Sequence, residues 1–257
     1  MLIPLSWLKD YVAITLSPEE LADKLTIAGL EVEGITYIGV PGGNDKKRLI
    51  WDREKLVVGH NYQVEQHPNA DRLVLATVEY GASQPEVVVT GAPNLFPYLG
   101  KGDISDLKLY SPFALEGAEV YDGHKEGQVK MKLKSRALRG IENRCMVCSE
   151  KELGLSEEHE GIMFIEGDLT PGAALQDVLG DVVLSIDIIP NIARCASIVG
   201  VAREVAAITE QELRYPSWEV VQEVAPVEGK VNITTENPDL NPRFTAMLIE
   251  GVEQKPS

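Results

Sequence analysis

The sequence predicts an α+β multidomain chain with a small five-stranded β-barrel in its middle and helical segments on either side. Three observations predict it. Between about residue 52 and residue 150, short β-rich runs alternate with turn residues. On both sides of that stretch, capping residues mark helix starts and stops. A length of 257 residues leaves room for two or three domains, each of roughly 50–200 residues.

The first 40 residues read as mainly helical. Ser17-Pro18-Glu19-Glu20 is a helix start: Ser17 caps orphan amides, Pro18 suits the first helical position, and Glu20 completes a capping box. Leu21, Leu25 and Ala28 fall on one face, and Gly29 sits where a left-handed cap is common. An alternating stretch from Glu31 to Ile35 follows, then a linker at Pro41-Gly42-Gly43-Asn44-Asp45. The barrel candidates are Leu56–Val64, Leu73–Tyr80, Val87–Thr90, Lys130–Leu133 and Cys145–Val147. Five strands in about 100 residues fit a small closed barrel better than an α/β unit, a pattern shared with other small all-β domains. Beyond residue 150, Thr170-Pro171 opens a short helix closed by Gly180, and Val182–Ile188 is a buried-type strand. Ser197 caps a helix with Ile198, Val201, Val205 and Ile208 on one side. After an acidic passage, Arg243–Val252 reads as a strand. A lone strand cannot bury both faces, so coding sequence is expected to continue past Ser257.

Composition narrows the function classes. The chain is 44% hydrophobic and 25% charged, ordinary for a soluble globular protein. Its start lacks the basic and apolar regions of a secretory signal, and no apolar run reaches the ~20 residues that a bilayer demands. Cytoplasmic residence is expected, with no membrane partner. Cys145 and Cys148 have zinc or redox spacing. Only Cys195, His60, His67, His124 and His159 remain as further ligands, however, none in a paired spacing. A redox pair would need to precede a helix in a βαβ setting. Half-buried strand and turn residues are expected instead, with no metal. Neither a Gly-rich phosphate loop nor a Ser/His/Asp arrangement stands out, so no catalytic residue is assigned.

A net charge of −16 opposes encounter with phosphate, so RNA binding requires a locally basic face. One segment supplies it. Between Lys125 and Arg144 lie seven cations (Lys125, Lys130, Lys132, Lys134, Arg136, Arg139, Arg144) and two anions (Glu126, Glu142), a local balance of +5. In an extended strand, Lys130, Lys132, Lys134 and Arg136 share one side roughly 7 Å apart while Met131 and Leu133 enter the core. Such a stripe can track a phosphate backbone. It can equally be a solvated face or a protected edge. The aromatic fraction is 6%, with no interleaved basic–aromatic pattern to support strong base stacking.

The barrel segment resembles a tRNA-binding domain shared by endothelial monocyte-activating polypeptide, methionyl-tRNA synthetase appendages and the β subunit of phenylalanyl-tRNA synthetase. The matching pieces are Val57-Val58-Gly59, His67-Pro68-Asn69-Ala70-Asp71-Arg72-Leu73, Val89-Thr90-Gly91-Ala92-Pro93-Asn94 and Leu138-Arg139-Gly140 running into Met146-Val147-Cys148-Ser149, completed by Glu152-Leu153-Gly154-Leu155. The flanks choose the bacterial-type β subunit. Ser6-Trp7-Leu8-Lys9-Asp10-Tyr11 resembles its start, while Pro190-Asn191 to Cys195, Gly200-Val201-Ala202-Arg203-Glu204 and Arg243-Phe244-Thr245-Ala246 resemble its next domain. Two places depart from the family: Asn143-Arg144-Cys145 stands where Ser-x-Gly is usual, and Ile192 stands where Arg is usual, with Arg194 two places on.

The resemblance implies an OB-fold barrel at 41–151, inserted into a small split domain formed by 1–40 and 152–190. It further implies that 191–257 is the truncated opening of an editing domain. It implies a non-catalytic scaffold and auxiliary tRNA-binding surface within phenylalanine–tRNA ligase, partnered by the α subunit and tRNA(Phe), with no DNA. ATP and Mg²⁺ are implied for the intact enzyme and no cofactor for this segment. The candidate tRNA-binding residues are Lys130, Lys132, Lys134, Arg136, Arg139, Asn69, Arg72 and Asn94. His67 reads as mainly architectural, with base stacking as its lesser alternative, and Gly91 and Asn94 can equally shape a loop. The rivals are an assembly-only OB module and a free-standing tRNA-binding protein.

Overall fold

The computed structural model describes residues 1–45, 47–216, 227 and 229–252. The chain divides into Met1–Tyr215 and Pro216–Ser257. In the first unit, chain order is β1 (Leu2–Pro4), α1 (Leu5–Leu8), α2 (Pro18–Ile27), β2 (Val32–Ile38), β3 (Leu56–Gln66), β4 (Val74–Glu79) and β5 (Glu86–Thr90). Next come β6 (Tyr110–Ala114), β7 (Glu119–Tyr121), β8 (Lys130–Lys132), β9 (Arg136–Leu138), β10 (Ile141–Asn143) and β11 (Met146–Val147). The unit closes with α3 (Glu150–Leu153), α4 (Leu175–Leu179), β12 (Asp181–Ile186) and α5 (Ile198–Thr209).

Chain flanks far apart in sequence build one layer. β12 lies between β1 and β2 in a three-stranded antiparallel sheet. The expected capping box starts α2: Ser17 Oγ accepts from the Glu20 N–H (3.3 Å), and Glu20 accepts from the Ser17 N–H (3.0 Å). Gly29, at φ +95°, follows its end. Ser17's counterpart Ser197 accepts from the Gly200 N–H (3.0 Å) at the head of α5. Ile3, Leu8, Leu21, Leu25, Leu184, Val201 and Val205 close a single core between these helices and the sheet. Ile192 and Cys195 join the same core. The residue that departs from the family pattern at 192 is therefore buried, and Arg194 pairs instead with Glu204 (2.9 Å).

The middle of the chain forms a five-stranded, nearly closed antiparallel barrel in the order β11-β6-β3-β4-β5, as an OB-fold requires. β3 is the strand around which it is built. Its run from Leu56 to Asn61 is buried on both faces because the period-2 alternation sends Leu56 and Val58 to one core and Val57 to another. A bulge between Asn61 and Gln63 then bends β3 so that its first half pairs with β6 and its second with β4. Gly59 stands at the tightest point: a Cβ there would lie 2.6 Å from Val78 Cγ1 and 2.9 Å from Phe113 Cβ.

One barrel strand differs from the sequence expectation. Lys130–Lys132 is a strand, but it pairs with Glu119–Tyr121 in a separate ribbon. The barrel position belongs to β6, which contains Pro112, a residue that central strands usually exclude. The structure tolerates that proline because its carbonyl accepts from the Cys148 N–H (2.9 Å). The missing donor thus faces β11, which pairs with β6 over only two residues. The helix expected from Thr170 begins later, at Leu175, and ends at Gly180 as expected.

Among the described residues of the second unit there is no helix or strand, so the strand expected at Arg243–Val252 is absent. A strand exists only through its ladder, and no described segment of that unit pairs with it. Part of the preceding acidic passage lies outside the described residues.

Two stability outcomes follow. Gly59→Ala should destabilise the fold by about 1–3 kcal/mol through overpacking, seen as a lower urea midpoint with unchanged m. The second concerns Glu152, which accepts from the Ser149 N–H (2.6 Å) in the capping box of α3. Burial raises its pKa, against the lowering effect of the Ser149 hydrogen bonds. A raised folded pKa contributes stability below the unfolded value, and that stability is lost as pH rises through the folded value. Glu152→Gln keeps a capping-box acceptor and should therefore gain on the parent as pH climbs above about 4.3, measured by denaturation across pH.

Candidate nucleic-acid interface

The basic segment emerges from the barrel as two consecutive pieces. In β8, alternation holds: Lys132 is exposed while Met131 packs on a core and Leu133 is buried. β8 ends at Lys132 and β9 begins at Arg136, with Lys134 and Ser135 between them. The one extended stripe expected from sequence is therefore a ribbon strand, a short exposed link and a hairpin. Lys132, Lys134, Arg136 and Arg139 are all exposed.

Charge pairing divides the seven cations. Lys130 pairs with Glu119 across the ribbon (3.1 Å), Lys125 with Asp122 (3.4 Å), and Arg144 with Glu86 (2.7 Å). The two-pronged contact of Arg144, Nε and Nη2 to the two Glu86 oxygens, holds its guanidinium still more firmly charged. Among the described residues, no carboxylate lies within ion-pair distance of Lys132, Lys134, Arg136 or Arg139. These four are the cations available to phosphate. Lys55 is a fifth basic group that sequence reading missed. Its ammonium and the Lys132 Cε both approach the space over Gly117, at 3.6 and 3.7 Å from where a Cβ would stand. Its loose pairing with Asp52 (3.8 Å) leaves it partly exposed. Nothing local to Lys55 could have revealed a neighbour so distant in sequence.

The other predicted residues have different surroundings. Asn69 Nδ2 donates to the Arg139 carbonyl (3.5 Å), so the structure brings these two together. Arg72 is exposed, and its carbonyl lies beside Gly91. Asn94 is spent on the fold: its amide donates to the Ile162 carbonyl (2.8 Å) and accepts from the Ile162 N–H (3.2 Å). His67 is 2% exposed, with Nδ1 accepting from the Asn69 N–H (3.0 Å), and it offers no ring face for stacking.

The cysteines carry no site chemistry. Cys145, Cys148 and Cys195 are free and buried. Burial pushes the Cys145 thiol up to about 11 and the Cys148 thiol well above its ordinary value, the opposite of a reactive thiolate. Among the described residues, no group of three or more His, Cys, Asp or Glu is placed to hold a metal ion. No helix there is long and apolar enough to cross a membrane.

Residues 56–174, which contain both the barrel and the basic hairpin, match the family described as "Putative tRNA binding domain". The chain is 40% identical over 255 residues to the phenylalanine–tRNA ligase β subunit of Dehalococcoides mccartyi, covering 98% of itself and 28% of that relative. Against the same subunit of Geobacter sulfurreducens it is 40% identical over 259 residues, covering 100% of itself and 29% of the relative. Among solved structures, the C-terminal domain of Plasmodium vivax p43 aligns at 25% identity and a TM-score of 0.24, over 37% of this chain and 45% of that one. The chain is similar to the phenylalanine–tRNA ligase β subunit over nearly its whole length. It spans somewhat over a quarter of those β subunits and corresponds to their N-terminal portion.

In this chain, unpaired and paired cations should behave differently. Lys132→Ala, Lys134→Ala and Arg136→Ala should each weaken RNA binding and flatten the slope of log K against log[salt] by up to about 0.7–0.9. Lys130→Ala and Arg144→Ala should change the slope less. Filter binding across a salt series measures both.

Proposed function

We propose that this chain serves as scaffold and auxiliary tRNA-binding surface of a phenylalanine–tRNA ligase, with the basic ribbon and hairpin as the RNA-facing element. The observation that carries the reading is the set of exposed, unpaired cations at Lys132, Lys134, Arg136 and Arg139, inside the segment that matches the tRNA-binding family. In a chain of net charge −16, these side chains are where a phosphate backbone meets attraction before repulsion. Part of the same reading is the intact enzyme, in which an α subunit joins the β subunit to charge tRNA(Phe) with phenylalanine in the cytoplasm. ATP and Mg²⁺ serve that reaction. No residue of this segment is assigned to hold them. The segment itself is assigned no catalytic residue. The reading also retains the barrel at 41–151 between 1–40 and 152–190, with residues from 191 leading into an editing domain and Ile192–Ala206 contributing to the first core.

A second reading, an assembly-only barrel, is favoured by one observation: three of the seven cations are already matched by carboxylates. A double charge reversal, Lys132→Glu with Lys134→Glu, separates the two. The tRNA reading expects a low-salt gel shift with tRNA to weaken by at least tenfold, as two phosphate contacts imply. It also expects the KM for tRNA in charging by the intact enzyme to rise while subunit assembly is unchanged. Intact charging kinetics with weakened assembly would instead establish the second reading.

A further inference from the structure

The hairpin formed by β9 and β10 is a two-stranded element that belongs to no larger sheet. Such a hairpin alone is marginal in water. Apart from Asn143 at its base, its side chains are exposed or only half-buried. Apolar packing therefore contributes little to its position, and polar contacts set it. At the base, the buried Asn143 side chain copies a strand pairing: Oδ1 accepts from the Val89 N–H (2.9 Å) and Nδ2 donates to the Val89 carbonyl (3.4 Å). Next to it, Arg144 grips Glu86. At the tip, Asn69 Nδ2 donates to the Arg139 carbonyl. Asn69 is itself held by the bond from its N–H to the buried His67.

The tip carries an anomaly. Register pairs Leu138 with Ile141, leaving Arg139 and Gly140 as a two-residue turn with φ of +51° and +95°. That turn class favours Asn-Gly or Gly-Gly. Here an arginine takes the position where asparagine or glycine would be more comfortable. An unfavourable residue held by surrounding contacts at an exposed tip points to function.

We infer that Arg139 is the leading RNA contact of a braced arm, and that Asn69 is the positioning residue that aims it. Asn69 acts through the Arg139 backbone and itself makes no RNA contact. This inference rests on the tRNA-binding reading above. Arg139→Asn relieves the backbone while removing the charge, so the two effects have opposite signs. The variant should melt at higher temperature than the parent yet bind tRNA about five- to tenfold more weakly, the scale of one lost charged contact. Asn69→Ala should weaken binding about threefold with an unchanged salt slope, because no phosphate contact is lost. In the Arg139→Asn background, Asn69→Ala should have no further effect on affinity.

Affinity is measured on the 257-residue chain by filter binding with tRNA, and stability by thermal melting. Arg139→Asn binding as well as the parent would overturn the inference. So would an Asn69→Ala effect that persists in full without Arg139. If Lys132, Lys134 and Arg136 still govern binding in those cases, the function stands and only the inference falls. A parent chain that fails to bind tRNA at low salt would remove both.

Discussion

The structure depends on β3 being buried on both faces. A strand with one wet face can bend and pair freely, but β3 must satisfy two cores at once, so its register is fixed at every residue. Leu56 and Val58 close the core that also takes Trp51, Val120, Leu133 and Leu175. Val57 and Val64 close the barrel interior with Val78, Leu95 and Phe113. Gly59 lets β4 and β6 approach where any side chain would collide. The ribbon that bears Lys130 and Lys132 reaches its place because Leu133 is drawn into the first of these cores. The position of basic charge is thus a by-product of apolar burial.

Polar side chains that imitate backbone do the rest. Asn143 supplies both a donor and an acceptor to Val89 at the free edge of β5, and Asn94 does the same for Ile162. Open sheet edges invite unwanted pairing, and an amide side chain satisfies an edge without adding a strand. Asn143 is also one of the two places where this chain departs from the Ser-x-Gly of the family pattern. The other, Cys145, is buried in the barrel core, and Arg144 between them forks onto Glu86. Asn143 and Arg144 together tie the basic hairpin to β5.

The anionic character of the chain and its basic arm are compatible because the field near a surface is local. Over a screening length of about 8 Å in physiological salt, a phosphate approaching Lys132, Lys134 or Arg136 senses those cations far more than carboxylates on the opposite side. Of the carboxylates that lie close, Glu119 and Glu86 are consumed by Lys130 and Arg144, and Glu142 accepts from the Ser135 hydroxyl. Long-range repulsion then limits encounter elsewhere on the molecule, concentrating any RNA contact on one arm.

The sequence by itself determined what is local. The capping boxes at Ser17, the cap at Ser197, the left-handed Gly29, the strands at Leu56, Val74 and Glu86 and the alternation of Lys132 with Leu133 all follow from neighbours a few residues apart. The barrel motifs were also legible as a set, since several turn signatures in order leave few other folds. Tertiary structure alone decided the pairings. Pro112 sits between two strand neighbours because the shorter of them, β11, faces its missing donor. Lys130–Lys132 had the right composition for the barrel but a partner elsewhere, and Arg243–Val252 found no partner among the described residues. Which cations are free was equally hidden, because Glu119 and Glu86 become neighbours of Lys130 and Arg144 only when strands pair. Local propensity is encoded in contiguous residues, whereas ladder partners and charge partners are chosen by the cores that bring distant segments together.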